Sequence, residues 1–293
     1  MARQLYRFLA LDIDGTVTAD GKTIEPRLAR AAQRARSLGV IVTLATGRPY
    51  AACGAFIKGL AIDVPVVVHN GAVIVDPRTD GILSLTPIPK SKAFRVLELV
   101  RRTRVHVFAR EIGPSGENVL TEPFSRPPNP AEREYLEHNA TPVKWTPRLE
   151  DGITGQIPKF LIMDDPEVIE GLASLLNLEL GAAVNVYVYG TPHSSGIGGL
   201  EVFAGAVSKG AGVRAVAAAL GVQPGEIIAL GDDMNDEEML AEVGLGVAMG
   251  SAPPNVRGAA AFVTGTASQG GAATAIVHFL LRSAGIFDNL KNS

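Results

Sequence analysis

The apolar run Phe8-Leu9-Ala10-Leu11 stops abruptly at Asp12-Ile13-Asp14-Gly15-Thr16. A short, uninterrupted apolar run reads as a strand buried on both faces, the kind found in parallel sheets covered by helices. Side chains alternate along a strand, so Asp12 and Asp14 point the same way. Gly15 lets the backbone turn tightly and bring an amide close to a ligand. Two like charges held together are costly unless a cation or a shared proton relieves them. The pair therefore points to a divalent metal, with one carboxylate left to attack or to exchange a proton. Asp and Gly are also ordinary turn residues, so this segment alone fits a plain strand exit as well.

Later segments repeat the pattern. Val40 to Ala45 is a second apolar strand and ends in Thr46-Gly47-Arg48. Val64 to Val68 ends in His69-Asn70-Gly71, and Glu226 to Leu230 ends in Gly231-Asp232-Asp233-Met234-Asn235-Asp236. Lys209 and Gly210 open a helical stretch after Val207-Ser208. Singly, Thr46 reads as a helix N-cap, Lys209 as a solvated lysine and Asn70-Gly71 as a hairpin turn. In open parallel α/β sheets, however, ligands bind outside the carboxyl ends of the strands. Polar residues gathered at several such ends point to one shared site.

Composition bounds the rest. The chain has 293 residues, room for two domains, and 46% of them are hydrophobic. Its 27 basic and 30 acidic residues leave a formal charge of −3, which favours neither nucleic acid nor an anionic membrane. Cys53 has no second cysteine to pair with, which fits a cytoplasmic setting. No apolar stretch is long enough and free enough of charge to span a membrane.

Pro26 to Leu38 carries Leu28, Ala31, Ala32, Ala35 and Leu38 at helical spacing. Ala72 to Val75 and Gly81 to Leu85 suggest a hairpin. From Thr86 to Ala204 charge and proline increase. There the pattern predicts helices over Ser91–Thr103 and Pro166–Leu178. Strands are expected at Val105–Ala109, Pro158–Met163, Val184–Tyr189 and Leu200–Phe203, with a turn at Gly113–Asn118 and an irregular loop at Ser125–Pro130. The core then resumes, with helices over Lys209–Leu220 and Met234–Val243. The reading is an α/β fold, a doubly wound parallel sheet formed by residues 1–85 and 205–293, with residues 86–204 as an inserted α/β domain.

The motifs, in order, resemble those of the haloacid dehalogenase superfamily of phosphohydrolases. DxDGT matches Asp12 to Thr16. TGR matches Thr46-Gly47-Arg48, NGA matches Asn70-Gly71-Ala72, the lysine matches Lys209, and GDxxND matches Gly231 to Asp236. The set is similar to the Cof-type branch, whose large α/β (type C2) cap the insertion would represent. The resemblance implies a Rossmann-like core and a Mg²⁺-dependent phosphatase for small phosphorylated metabolites such as sugar phosphates. It implies Asp12 as nucleophile and Asp14 as acid–base partner. Thr46 and Gly47 would bind the phosphate and Lys209 would neutralise it. Arg48, Asn70 and Asn235 join the substrate-binding set. Asp12, Asp232 and the Asp14 carbonyl would hold Mg²⁺, with Asp236 orienting them and Asp233 doubtful. His193, in the Gly190–Gly199 stretch, is a candidate substrate contact. A phosphomutase of the same fold would need basic cap contacts, for which Arg110, Arg126 and Arg148 are available. A non-catalytic protein that binds phosphorylated metabolites is the further alternative.

Overall fold

The computed structural model describes residues 6–114, 116–190 and 196–281. The chain divides into two compact units, Met1–Ser84 with Ser208–Ser293, and Leu85–Val207. Strands run over Phe8–Leu11 (β1), Ile41–Leu44 (β2), Val66–Val68 (β3), Val73–Asp76 (β4), Gly81–Leu85 (β5), Val107–Gly113 (β6), Gly116–Thr121 (β7), Val143–Trp145 (β8), Gln156–Asp164 (β9), Val184–Gly190 (β10), Gly198–Ala204 (β11), Ile227–Gly231 (β12), Leu245–Ala248 (β13) and Phe262–Val263 (β14).

The first unit is built on a parallel sheet in the order β14-β13-β12-β1-β2. Its central strand explains the opening apolar run. Phe8, Leu9, Ala10 and Leu11 are all fully buried, so both faces of β1 are covered. Register then places the strand ends side by side, because Leu11 pairs with Leu230 on β12 and with Leu44 on β2. The helix Pro26–Ser37 buries Leu28, Ala31, Ala32 and Ala35, as its spacing predicts. Glu25 caps it by accepting bonds from the amides of Arg27 and Leu28. It packs against the helix Gly271–Ile276, while Lys209–Ala219 packs against Glu237–Ala241.

One strand departs from expectation. β3 joins the parallel sheet only through a bridge between Ala45 and Val67, and otherwise pairs antiparallel with β4 in a separate sheet, β3-β4-β5. Pro65 supplies the reason, since it has no N–H to extend a ladder. The Thr43 hydroxyl instead donates to the Pro65 carbonyl at 2.6 Å.

The second unit holds a mixed sheet, β10-β11-β9-β6-β7-β8, antiparallel except where β7 meets β8. Helices Lys90–Arg101 and Pro166–Leu180 bury Val96, Leu97, Ile169 and Leu172 together with Ile162 and Leu200 of the sheet. A second cluster sets Phe108, Val119 and Leu161 against Ala131, Tyr135 and Leu136 of a helix over Pro130–His138. The sequence reading missed β7 and this helix. Of the expected turn at Gly113–Asn118, Gly113 ends β6 and Gly116 to Asn118 already lie in β7. The expected loop at Ser125–Pro130 runs into a capping box, in which Asn129 and Glu132 bond each other's backbone amides behind Pro130.

His106 lies buried in the second unit, stacked on Phe124 at 3.7 Å between ring centres. Its Nε2 sits 2.7 Å from the Thr121 hydroxyl, which itself donates to the Val107 carbonyl, so Nε2 carries the proton. Burial, then the charge of Arg126, pushes the imidazole down from its ordinary 6.5 to about 4. The unfolded chain takes up this proton as pH falls through 6.5, and the native protein resists until about 4. Stability therefore falls on acidification across that window. Urea unfolding at pH 7 and pH 4.5 should show a smaller acid-induced loss for His106→Gln than for the parent. Equal losses would contradict the buried, neutral imidazole.

Candidate active site

Each expected core residue lies just past the end of a strand of the first unit, Asn70, Asn235 and Asp236 in short 3-10 turns there, except Lys209, which begins a helix. Register brings Asp12, Thr46 and Asp232 to one end of the parallel sheet. The Lys209 ammonium lies 2.7 Å from Asp12 Oδ1 and 2.8 Å from Asp236 Oδ1, with all three side chains buried. Carboxylate oxygens of Asp12, Asp232 and Asp236 lie within 4.8 Å of one another.

Local sequence fixes this arrangement. Ser208 caps the Lys209–Ala219 helix by accepting from the Ala211 amide and donates its hydroxyl proton to Glu238. Gly15 has a φ of +75°, and a Cβ there would lie 1.9 Å from an Asp232 oxygen. In the Asp232–Asp236 turn, Asp233 accepts from the Met234 amide, so it acts as a cap facing solvent. Asp236 folds back, its Oδ2 accepting from the amides of Asp232 and Asp233.

The electrostatics follow from burial. Desolvation pushes the Asp12 carboxyl well above its usual range, Lys209 opposes this, and Asp236 and Asp232 add to it. Burial and Asp236 likewise push Asp232 up to about 7. Burial alone would lower the Lys209 pKa, but Asp12 and Asp236 outweigh it and hold the ammonium charged. One buried cation thus faces more acid than it neutralises. An oxygen-donor set with surplus negative charge is what a hard divalent cation requires.

The loop after β2 interlocks with the loop after β3. His69 and Asn70 both adopt left-handed backbones, with φ of 49° and 53°. Their amides donate to the carbonyls of Arg48 and Thr46 at 3.1 and 2.9 Å, which holds this costly corner in place. The corner aims Asn70 at Gly47, where a Cβ would meet Asn70 Oδ1 at 3.0 Å. Asn235 Nδ2 donates to the same Asn70 oxygen at 3.0 Å, so the two asparagines meet across loops. Thr46 is buried and its hydroxyl accepts from the Arg48 amide, which leaves its own proton to donate. Arg48, expected among the substrate-binding residues, has its guanidinium on the Asp14 carboxylate, at 2.8 and 2.5 Å. That pairing was not legible in the sequence. His193 lies outside the described residues. Arg110, offered as a cap contact, is instead buried and bonded to Glu117, Thr141 and Asn139.

Comparison with known proteins identifies the class. Residues 9–276 match the haloacid dehalogenase-like hydrolase family. The chain is 27% identical over 266 residues to the pyridoxal phosphate phosphatase YbhA of Escherichia coli, covering 88% of this chain and 93% of that protein. It is 27% identical over 270 residues to the 5-amino-6-(5-phospho-D-ribitylamino)uracil phosphatase YitU of Bacillus subtilis, covering 90% and 94%. Among solved structures, a phosphatase of the same superfamily from Bacteroides thetaiotaomicron superposes with a TM-score of 0.76 at 26% identity, over 97% of each chain. The chain belongs to the haloacid dehalogenase-like hydrolases, in their Cof-type branch, and is an enzyme of the phosphatase kind.

Lys209→Met would leave Asp12 and Asp236 buried without their cation. Urea unfolding of the metal-free protein should show a loss of about 3 kcal/mol or more at pH 7, along with loss of turnover. An unchanged unfolding midpoint would contradict the shared ion pair.

Proposed function

We propose that the chain is a Mg²⁺-dependent phosphatase that hydrolyses a small phosphorylated metabolite through an aspartyl-phosphate intermediate. The observation that carries this reading is the shared ion pair of Lys209 with Asp12 and Asp236, beside Asp232 and at the sheet end that Thr46 also occupies. A phosphomonoester dianion repels nucleophiles, and attack by a carboxylate splits one difficult step into two easier ones.

In this reading Lys209 holds Asp12 Oδ1 and leaves Oδ2 to attack phosphorus in line. The P–O bond to the leaving group breaks as the acyl phosphate forms, and Asp14 gives the departing oxygen its proton. Asp14 then takes a proton from water, which attacks phosphorus and releases inorganic phosphate and free Asp12. Thr46 donates to a phosphoryl oxygen with the Gly47 amide beside it, and Lys209 offsets charge on the same group. Asn70 and Asn235 border the phosphate and the first atoms of the leaving group. Asp12, Asp232 and the Asp14 carbonyl would hold Mg²⁺, and Asp236, with both oxygens engaged, orients them. The ion would supply positive charge against the phosphoryl oxygens when bound.

The first unit contains every residue in this scheme, so substrate choice falls to the inserted unit, Leu85–Val207. The relatives named above act on chemically different phosphate esters, which supports a shared core with a variable partner domain. A cytoplasmic metabolite fits the composition. A mutase would call on basic cap side chains; Arg110 is bonded within the inserted unit and Arg126 pairs with Glu132 and Asp164, while Arg148 is exposed.

Phosphate release across a broad panel of phosphorylated metabolites is the direct test. The purified protein should release phosphate with Mg²⁺, lose activity in EDTA and regain it on adding Mg²⁺. Asp12→Asn should lower kcat by several orders of magnitude with its melting curve intact. Full activity after exhaustive chelation, isomerisation without free phosphate, or near-normal turnover by Asp12→Asn would each overturn the reading.

A further inference from the structure

We infer that Arg48 is a positioning residue for Asp14 and not a ligand of the phosphoryl group. The inference rests on the phosphatase reading above and assigns one residue within it.

The guanidinium makes three N–H···O bonds within the first unit. Nε donates to Asp14 Oδ2 at 2.8 Å, and Nη2 donates to Asp14 Oδ1 at 2.5 Å and to the Gly21 carbonyl at 2.8 Å. This fork fixes both the position and the plane of the carboxylate, as a point charge does not. The other end of the clamp is built in advance. Asp20 accepts from the Lys22 and Thr23 amides and from the Thr18 hydroxyl, which shapes the turn carrying Gly21. The Gly15 amide donates to the Thr18 carbonyl at 2.9 Å, so the same turn is tied to the backbone beside Asp14. Arg48 is itself held. Its amide donates to Thr46 Oγ1, its carbonyl accepts from the His69 amide, and its guanidinium lies 5.0 Å from the centre of the buried Phe56 ring.

The partners differ in exposure. The Asp14 side chain is 55% exposed and that of Arg48 only 22%. An exposed carboxylate of this kind would otherwise sample several rotamers, and few of them reach a leaving-group oxygen. For Arg48 to bind the phosphoryl group it would have to release Asp14 at the moment its position matters. Lys209 and Thr46 already answer the need for a cation and a donor there. Burial works against the Arg48 charge, and Asp14 more than offsets it, which ties the two residues to each other.

A double-mutant cycle with two esters of one shape separates the roles. The parent, Arg48→Gln, Asp14→Asn and the double variant are assayed on phenyl phosphate and on p-nitrophenyl phosphate, whose leaving group needs less protonation. Inhibition by inorganic phosphate and thermal melting are measured for each. Misplacing a catalytic group costs up to about 100-fold, so Arg48→Gln should lower kcat/KM, which reports the leaving-group step alone, on phenyl phosphate by roughly 10- to 100-fold. The loss on p-nitrophenyl phosphate should be clearly smaller, with phosphate inhibition unchanged. In the Asp14→Asn background, removing Arg48 should cost almost nothing more, the signature of groups acting as one unit. Arg48→Lys should recover only part of the lost kcat/KM, and it replaces Arg48→Gln in the cycle if that variant melts early. Multiplicative losses, equal losses on both esters, or weaker inhibition by phosphate would make Arg48 a phosphate ligand and overturn the inference. If the parent releases no phosphate from either ester, the phosphatase reading itself falls and takes the inference with it.

Discussion

Lys209 sits between Asp12 and Asp236, and the rest of the first unit is arranged so that these three charges can meet out of water. Asp12 leaves β1, Asp236 follows β12, and Lys209 begins a helix far along the chain. A buried charge without a partner is expensive, so each group is tolerable there only because the others are in place. The register of β1 against β12 and β2 sets Asp12, Asp232 and Thr46 side by side at the strand ends. The β3 loop approaches the start of the same helix. Gly71 has a φ of +99°, and a Cβ there would lie 2.0 Å from the Ser208 carbonyl, so only glycine lets that loop reach the start of the Lys209 helix.

The parts legible in the sequence are those where one local signal suffices. Apolar runs ending in polar clusters marked β1, β2 and β12, because strands buried on both faces cannot hide their ends. Apolar spacing marked the Pro26–Ser37 helix. The Pro130–His138 helix was legible too, through the Asn129-Pro130 start with Glu132 three positions on, but the surrounding prolines masked it. Other features depend on residues that meet only in the fold. Nothing local tells that Pro65 detaches β3 from the ladder or that Arg48 turns toward Asp14. The same holds in the second unit, where Arg110 lies opposite Lys159 in register and Lys159 pairs with Glu201, each side chain on a different strand.

The two units divide the problem unequally. The first is strict, since its loops interlock through backbone bonds and close glycine contacts that tolerate little change. The second carries its own hydrophobic clusters and its own buried ion pairs, none of which the phosphoryl chemistry requires.

The central claim is that Asp12 becomes covalently bonded to phosphorus. Rapid acid quench during turnover, followed by borohydride reduction, converts an aspartyl phosphate to homoserine, which peptide mass spectrometry then places in the chain. The account predicts homoserine at position 12 in the parent and none in Asp12→Asn. Reduction at another acid of the cluster, or no reduction while phosphate is being released, would contradict it.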